Sequence, residues 1–198
     1  MKVSREQMAR NRSRILMEAG RLFREKGFDA VSVAEVMKAA GLTHGGFYVH
    51  FPSKEALDIA ALERAMDSIG NPARHLPADL PLPERRKQLA ARYLSRVHRD
   101  HPETGCPLSA LLSEVAHGSD AFREAYAACV AGSLLDRQQE LGPTPPGEDI
   151  ALLALALGGL ALARALPDAA ASDAVLRACR DASALLADAF EEQRGEDA

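Results

Sequence analysis

The side chains best suited to contact another molecule are gathered in one short stretch of the chain, from Thr43 to Lys54. This stretch contains hydrogen-bond donors and small residues, and it contains no carboxylate. Its candidate contact residues are Thr43, His44, Gly45, Gly46, Tyr48, His50 and Lys54. Donors without acidic neighbours are suited to a negatively charged partner, so this stretch is a candidate surface for a polyanion.

Two details of the stretch favour a close partner. The adjacent glycines at 45 and 46 cost a helix about 1 kcal/mol each relative to alanine, and that cost is explained if the backbone approaches another molecule. Lys54 lies in the first turn of a further predicted helix, where the helix dipole disfavours a cation unless a phosphate is near. The alternative for Lys54 is an ordinary solvated lysine.

The charge distribution supports the same kind of partner. Residues 1–54 hold ten lysines and arginines against five acidic residues, whereas the whole chain has a net charge of −4. A basic end on an acidic remainder is expected when that end meets a polyanion. The alternative is an uneven distribution of charge over helix surfaces without functional meaning.

The elements around this stretch are predicted to form a helix, a glycine turn and a second helix. A first helix is predicted over residues 10–26 and ends at Gly27. Ser32 and Glu35 form a capping box that begins the next helix, and Gly41 provides the turn that follows it. Thr43 is expected to cap a short third helix through residue 50. This arrangement is typical of a helix-turn-helix, with Phe47 and Phe51 facing inward because they are four residues apart.

The remainder of the chain is predicted to be helical, which makes the fold all-α with about nine helices. A fourth helix follows Ser53, and five more are predicted over residues 84–100, 107–117, 120–141, 147–166 and 172–193. Asp120 and Ser172 are the expected caps of two of them. We expect a helix-turn-helix domain over residues 1–54 and a helical effector-binding and dimerisation domain over residues 55–198.

The predicted helix over residues 147–166 is apolar on all sides and therefore needs burial on every face. The helix over residues 172–193 supplies a second apolar stripe, and Gly158-Gly159 allows a close helix neighbour. Two such helices from each of two chains would make a four-helix interface. The alternative is a central helix buried within a monomer. The longest apolar run, residues 150–163, is shorter than the about 20 residues that a bilayer needs, and no secretory signal is evident, so we expect a cytoplasmic protein.

The three cysteines are an odd number without a CxxC pair, which disfavours a disulfide framework and a thiolate zinc site. Cys106 directly precedes a predicted helix that begins with Pro107, where the helix N-terminus favours a thiolate. Cys106 is therefore a possible thiol sensor, the alternative being a half-buried cysteine without a role. Cys129 and Cys179 are interpreted as core residues. We expect no metal site and no cofactor, and no catalytic motif predicts an enzyme.

The residues around the glycine turn resemble a known family. The segments Ser32–Val36, Ala40–Phe51 and Ser53–Leu57 are similar to the DNA-binding domain of TetR/AcrR-type bacterial transcriptional regulators. The resemblance covers about residues 10–60, and the helical remainder is compatible with the family's ligand-binding and dimerisation domain.

The resemblance implies a role for each matching position. Ser32, Thr43, Tyr48, His50 and Lys54 would contact the DNA backbone, and the segment His44–Gly46 would face base edges. Two positions depart from the family pattern, because position 44 is often lysine there and position 46 is often threonine, serine or alanine. The run Arg5, Arg10, Arg12 and Arg14 resembles the basic arm that some members lay in the minor groove, the alternative being a flexible solvated tail.

The resemblance further implies a homodimeric repressor that a small-molecule effector releases from a palindromic double-stranded DNA operator. Tyr93, Leu111, Phe122 and Tyr126 are candidates to line the effector pocket, although they are equally compatible with ordinary core. Two alternatives remain: a redox- or electrophile-responsive regulator that senses through Cys106, and a constitutive DNA-binding protein without an effector.

Overall fold

The computed structural model describes residues 4–69, 76–77, 79–141 and 146–196, and within these ranges every regular element is helical. The α-helices are α1 (Arg5–Lys26), α2 (Val33–Ala39), α3 (Phe47–His50), α4 (Lys54–Ile69), α5 (Leu82–Tyr93), α6 (Arg96–Asp100), α7 (Pro107–Val115), α8 (Asp120–Leu141), α9 (Pro146–Ala165) and α10 (Ala169–Glu196). Short 3-10 turns cover His44–Gly46 and Pro102–Thr104. The all-α prediction is confirmed. No helix in the described part of the chain is both long and apolar enough to cross a membrane.

The chain divides into two compact units. The first combines Met1–Gly70 with Pro102–Cys129, and the second combines Asn71–His101 with Val130–Ala198. The first unit therefore contains α7 and the beginning of α8 in addition to α1–α4. The functional boundary expected at residue 54 remains a prediction.

Two predicted helices have different limits in the structure. The first helix begins at Arg5, because the Ser4 side chain caps it by accepting a hydrogen bond from the Gln7 backbone at 3.1 Å. The helix predicted over residues 84–100 is interrupted at Leu94, a fully buried side chain whose backbone (ψ 50°) leaves the helical region. Ser95 then caps α6 by accepting from the His98 N–H at 3.2 Å.

The two caps predicted for the later helices are wrong, because the residue that caps each helix lies earlier in the chain. Ser119 rather than Asp120 accepts the Phe122 N–H, at 3.2 Å. Asp168 accepts the Ala171 N–H at 2.7 Å, so α10 starts three residues before Ser172. Ser172 is buried inside α10, where its hydroxyl donates to the Ala163 carbonyl at 2.7 Å.

The core of the first unit is built around α1 and α4, which pack closely beside Gly20. A Cβ at Gly20 would lie 3.5 Å from the Ala61 carbonyl oxygen. The largest buried side chains of this core are Ile15, Phe23, Met37, Phe47, Phe51, Leu57, Leu62, Leu108 and Leu111. The short helices α2 and α3 are held by this core, since propensity alone does not stabilise helices of that length.

The second unit has its own apolar core, formed by Leu94, Leu160, Ala163 and Leu176. Helices α9 and α10 approach so closely that a Cβ at Gly159 would lie 2.6 Å from the Cys179 sulfur. Gly158, the neighbouring glycine, faces open space, with no atom within 4 Å of an added Cβ. Of the two glycines predicted to admit a helix neighbour, Gly159 does so within this chain.

A buried ion-pair group ties α5 to α9 in the second unit. The Arg86 guanidinium lies 2.7 Å from Glu148 and 3.2 Å from Asp149. All three side chains are at least nine-tenths buried, and Glu148 also accepts from Arg194 at 2.7 Å. Removing one partner of such a group leaves an uncompensated buried charge, which costs about 3–5 kcal/mol.

Candidate nucleic-acid interface

The start of α2 is fixed by the predicted capping box. The Ser32 side chain accepts from the Glu35 N–H at 3.2 Å. The Glu35 carboxylate lies 2.7 Å from the Lys26 ammonium. This ion pair lowers the pKa of Glu35, and the Ser32 backbone N–H lowers it further. The Ser32 half of the box is therefore present, and Lys26 adds a contact with Glu35 from the end of α1.

The turn between α2 and α3 depends on Gly41. Its φ of 66° lies in the left-handed region that favours glycine. The turn is closed by hydrogen bonds from the Gly41 N–H to the Lys38 carbonyl at 3.0 Å and from the Leu42 N–H to the Met37 carbonyl at 2.9 Å. This glycine-dependent turn sets the direction in which the next segment leaves α2.

The predicted third helix is a 3-10 turn that continues into the four-residue α3. Thr43 stands at the cap position but makes no side-chain capping hydrogen bond, so its predicted capping role is wrong. Phe47 and Phe51 are buried and stacked, with ring centroids 5.9 Å apart. Their inward orientation is confirmed, and it fixes which side of this segment faces outward.

The outward side of this segment is formed by Thr43, His44, Gly45, Tyr48 and Val49, which we call the α3 surface. Tyr48 is 71% exposed and Val49 is 64% exposed. An added Cβ at Gly45 would meet no atom within 4 Å. Packing within the chain therefore does not require a glycine at position 45.

Two arginines of α1 lie against the turn and α3, and one of them, Arg12, is bonded to α3. The Arg12 guanidinium donates to the His50 carbonyl at 2.8 Å and lies over the Phe51 ring, 4.2 Å from its centroid. Arg14 lies over the turn, where a Cβ at Gly41 would approach its Nη2 to 2.7 Å. A cation at a helix C-terminus is favourable because it meets the unsatisfied carbonyls. Sequence patterns missed both contacts.

The flexible-tail alternative for the N-terminal arginines is wrong, since all four lie within α1: Arg5, Arg10, Arg12 and Arg14. Their contact with the minor groove remains a prediction. His50, at the end of α3, has its pKa lowered by burial and by the charge of Arg12. A neutral imidazole is therefore favoured at position 50.

The remaining predicted contact residues lie on either side of the α3 surface. Ser32 is exposed and Gly46 is half-buried, with Met37 Cε 3.7 Å from an added Cβ at Gly46. Lys54 is half-buried, and its ammonium donates to the Phe28 carbonyl at 2.6 Å. The contacts of these residues with DNA remain predictions.

Two further contacts within the first unit connect α1 and the residues that follow it to the chain around α7. Arg24 donates to the Glu103 carbonyl at 2.9 Å. The Glu114 carboxylate accepts the Phe28 backbone N–H at 2.6 Å. The chain that precedes the helix-turn-helix is thus held by residues of the 102–115 segment. No short-range sequence signal predicts these contacts, because the partners are about 80 residues apart.

The residues predicted to line an effector pocket are divided between the units. Leu111, Phe122 and Tyr126 are buried in the first unit, and Tyr93 belongs to the second. Tyr93 borders a cavity in the second unit, together with Arg86, Leu89, Ala90, Leu152 and Ala156. The proposed common pocket remains a prediction.

Comparisons with known proteins agree with this geometry. Residues 15–61 match the family described as bacterial regulatory proteins, tetR family. The HTH-type transcriptional repressor KstR of Rhodococcus jostii is 30% identical over 178 residues, which cover 87% of this chain and 75% of that protein. The HTH-type transcriptional regulator YerO of Bacillus subtilis, itself uncharacterised, is 34% identical over 100 residues. That match covers 48% of this chain, which spans only about a third (34%) of the Bacillus protein's length.

Solved structures share the fold. The reduced form of NemR from E. coli matches with a TM-score of 0.72 at 23% identity, covering 87% of this chain and 94% of that one. A TetR transcriptional regulator from Chloroflexus aurantiacus also has a TM-score of 0.72, at 20% identity, with coverage of 91% and 95%. The match to KstR extends well beyond the helix-turn-helix, and together with the family match it shows that this chain belongs to the tetR family of bacterial regulatory proteins.

Proposed function

We propose that this protein is a homodimeric DNA-binding transcriptional repressor that acts in the cytoplasm and leaves its operator when a small-molecule effector binds. The observation that carries the DNA-binding part is the α3 surface, which is exposed, free of carboxylates and open around Gly45. In helix-turn-helix proteins the second helix enters the major groove. The repressor part is supported by the relative KstR, which is described as a repressor.

The proposed contacts divide into two kinds. Ser32, Thr43, Tyr48, His50 and Lys54 contact phosphates, and the segment His44–Gly46 faces base edges. Because Gly45 and Gly46 offer no side chain to the bases, recognition there depends on close backbone approach and on DNA shape. Lys54 already donates to the Phe28 carbonyl, and an ammonium has two further donors for a phosphate.

The DNA-binding proposal is tested with DNA fragments selected from the genome by the full-length protein, followed by fluorescence anisotropy over a range of salt concentrations. Tyr48→Phe removes only a hydroxyl from a side chain that is 71% exposed, so it leaves the fold intact. Loss of one hydrogen bond, worth about 0.5–1.5 kcal/mol, is expected to weaken binding about 2–10-fold per DNA-binding unit.

Met17→Ala is the matched control, because Met17 is also exposed (60%) but lies on α1 rather than on the α3 surface. Its affinity for the selected DNA should equal that of the wild type. Equal affinity of Tyr48→Phe and wild type would remove Tyr48 from the contact surface. Failure to select any DNA sequence would count against the regulator itself.

The dimer proposal is supported by apolar side chains that α9 and α10 leave exposed. Ile150 is 51% and Leu162 is 53% exposed on α9, and Leu185 is 72% exposed on α10. Gly158 opens to empty space on α9, where another helix can approach. Two such faces packed around a two-fold axis would bury these side chains and present two α3 surfaces to successive major grooves, about 34–36 Å apart.

Sedimentation of the full-length protein tests this interface. Leu185→Lys places a charge on the apolar face and is expected to shift the dimer toward monomer. Val97→Lys is its control, because Val97 is equally exposed (73%) but lies on α6. A monomeric wild type, or dissociation by both variants alike, would refute the proposed interface.

The effector proposal is supported by the family resemblance alone, because the cavity bordered by Arg86 and Tyr93 in the second unit has a volume of about 20 Å³, far below the roughly 300–1,000 Å³ of a ligand pocket. Arg86 is buried, and its Nε has no hydrogen-bond partner among the described residues. A thermal-shift screen of lipophilic compounds tests the effector proposal. A compound that stabilises the protein should lower its affinity for DNA, and DNA should lower the affinity for the compound by the same factor.

A further inference from the structure

A groove in the first unit is bordered by the residues that follow α1, the start of α4 and the end of α7. We call it the α4–α7 groove, and its lining includes Phe28, Asp29, Glu55, Asp58, Glu114 and Phe122. Its volume is about 460 Å³, within the roughly 300–1,000 Å³ of a small-molecule site. Its described lining residues do not include any member of the α3 surface. The groove is therefore large enough for a ligand and distinct from the surface proposed to meet DNA.

Two aromatic rings form an apolar part of the lining. Phe28 and Phe122 pack edge to face, with ring centroids 4.7 Å apart. The backbone of Phe28 is held at both of its polar groups. Its N–H donates to the Glu114 carboxylate at 2.6 Å, and its carbonyl accepts from the Lys54 ammonium at 2.6 Å. Because these bonds fix Phe28, the apolar surface is formed before a ligand arrives, which lowers the entropic cost of binding.

The charged part of the lining has one sign. Four carboxylates line the groove, and its described lining residues include no lysine or arginine. His117 is the other titratable residue of this lining. Carboxylates close to one another disfavour the charged form of each. A cation in the groove would therefore be attracted by all of them.

Asp58 is the carboxylate with the clearest need of a cation. Its Oδ1 atom is shielded from solvent and accepts no hydrogen bond from the described residues. Burial raises the pKa of Asp58 to about 7, Lys54 opposes this effect, and the other carboxylates of the groove raise the pKa further. The Lys54 ammonium is bonded to the Phe28 carbonyl rather than to Asp58. Because a carboxylate shares its charge between both oxygens, an ammonium that meets either oxygen would stabilise the charged form.

The spacing of the carboxylates favours an organic cation over a metal ion. In the part of the chain that the structure describes, no three His, Cys, Asp or Glu side chains come close enough together to hold a metal ion. A protonated amine does not need such a convergent set of ligands. It carries its own hydrogen-bond donors, and it can be attached to a body that packs on an aromatic ring.

We propose that the α4–α7 groove binds a small molecule in which a protonated primary amine is joined to an apolar body. The ammonium lies against Asp58, and the apolar body lies against Phe28 and Phe122. This site goes beyond the proposed regulator and does not depend on it, because amine binding is measured on the protein without DNA.

The test measures the binding of 4-phenylbutylamine to the full-length protein by isothermal titration calorimetry at pH 8, above the pKa of Asp58. The matched neutral probe is 4-phenylbutan-1-ol, which keeps the apolar body and lacks the charge. Butylamine keeps the charge and lacks the ring. We expect one 4-phenylbutylamine to bind per chain, and the two other probes to bind about tenfold more weakly or worse.

Asp58→Asn removes the charge of the side chain and keeps its shape. It should weaken amine binding about tenfold or more and leave binding of the alcohol unchanged. Glu63→Gln is the matched control, because Glu63 is an exposed carboxylate of the same helix and lies outside the groove lining. It should bind the amine as the wild type does. The thermal unfolding transition of each variant reports that it is folded.

Absence of saturable amine binding at millimolar concentration would overturn the proposal. Equal affinities for the amine and the alcohol, or an equal loss of amine binding in Asp58→Asn and Glu63→Gln, would also overturn it. DNA binding is measured in a separate experiment, whose failure would refute the proposed regulator and leave the amine site standing.

Discussion

Gly27→Ala is expected to be among the most damaging single-methyl substitutions in the first unit. Gly27 has φ 86° and ψ 165°, a backbone conformation that only glycine adopts readily. A Cβ there would lie 2.1 Å from Glu114 Oε1, a distance that no atoms without a bond between them tolerate. The same carboxylate accepts the Phe28 N–H through its other oxygen. The substitution therefore strains the backbone and also displaces a hydrogen-bond acceptor.

The two effects have separable magnitudes. The backbone conformation costs alanine about 1–3 kcal/mol. Displacing Glu114 leaves the Phe28 N–H without its acceptor, at about 1–3 kcal/mol. Their sum, about 2–6 kcal/mol, corresponds to a fall in Tm of about 4–24 °C, because each kcal/mol shifts the Tm of a chain of this size by about 2–4 °C.

Thermal and urea unfolding of the full-length protein measure this loss. Gly132→Ala is the matched control, because Gly132 lies inside α8 with nothing within 4 Å of an added Cβ; it is expected to gain about 1 kcal/mol. In a Glu114→Ala background the overlap is absent, so Gly27→Ala should cost only the backbone part. An equal cost in both backgrounds, or unchanged stability in the wild-type background, would refute the reasoning.

Two further predictions concern a buried carboxyl and the close α9–α10 packing. Burial raises the pKa of Asp58 to about 7, an effect that Lys54 opposes. Because the pKa of Asp58 is raised in the folded state, the free energy of unfolding falls as pH rises from about 4 to 7. At pH 8 Asp58→Asn should therefore be more stable than wild type by about 1–2 kcal/mol, after allowance for solvent screening, and should unfold at a higher temperature. At pH 4 the two proteins should unfold at similar temperatures. A larger gain at pH 4 than at pH 8 would contradict the sign. Gly159→Ala should destabilise the chain by about 1–3 kcal/mol, because the added Cβ overlaps the Cys179 sulfur. Gly158→Ala should leave the stability of the chain intact and weaken self-association. Similar unfolding temperatures for the two variants would refute this distinction.

Local sequence signals predicted the parts of the site that depend on near neighbours. The Ser32 cap, the left-handed Gly41 and the inward pair Phe47 and Phe51 all follow from spacings of a few residues. Helix breaks are harder to predict, because the interruption after Tyr93 has neither proline nor glycine to mark it. It is fixed by the burial of the next side chain.

Contacts between distant parts of the chain were beyond these signals. From the sequence alone, Arg12 is indistinguishable from the other basic residues near the N-terminus. In the structure it donates to the His50 carbonyl, 38 residues away. Glu114 reads as an ordinary surface residue of an amphipathic helix, and its backbone partner is 86 residues away. Such long-range bonds depend on which helices become neighbours, and periodicity carries no information about that.

The Glu114 contact has a consequence for how such proteins can be recombined. In this molecule the α1–α2 connection finds one of its hydrogen-bond acceptors on α7, and α1 also binds the turn that precedes α7. A chimera that fuses residues 4–69 to the remainder of another regulator would lose both unless the recipient supplied a carboxylate and a carbonyl at equivalent places. The smallest transplantable piece that keeps these bonds includes the 102–129 segment, so the unit of exchange is discontinuous in the chain.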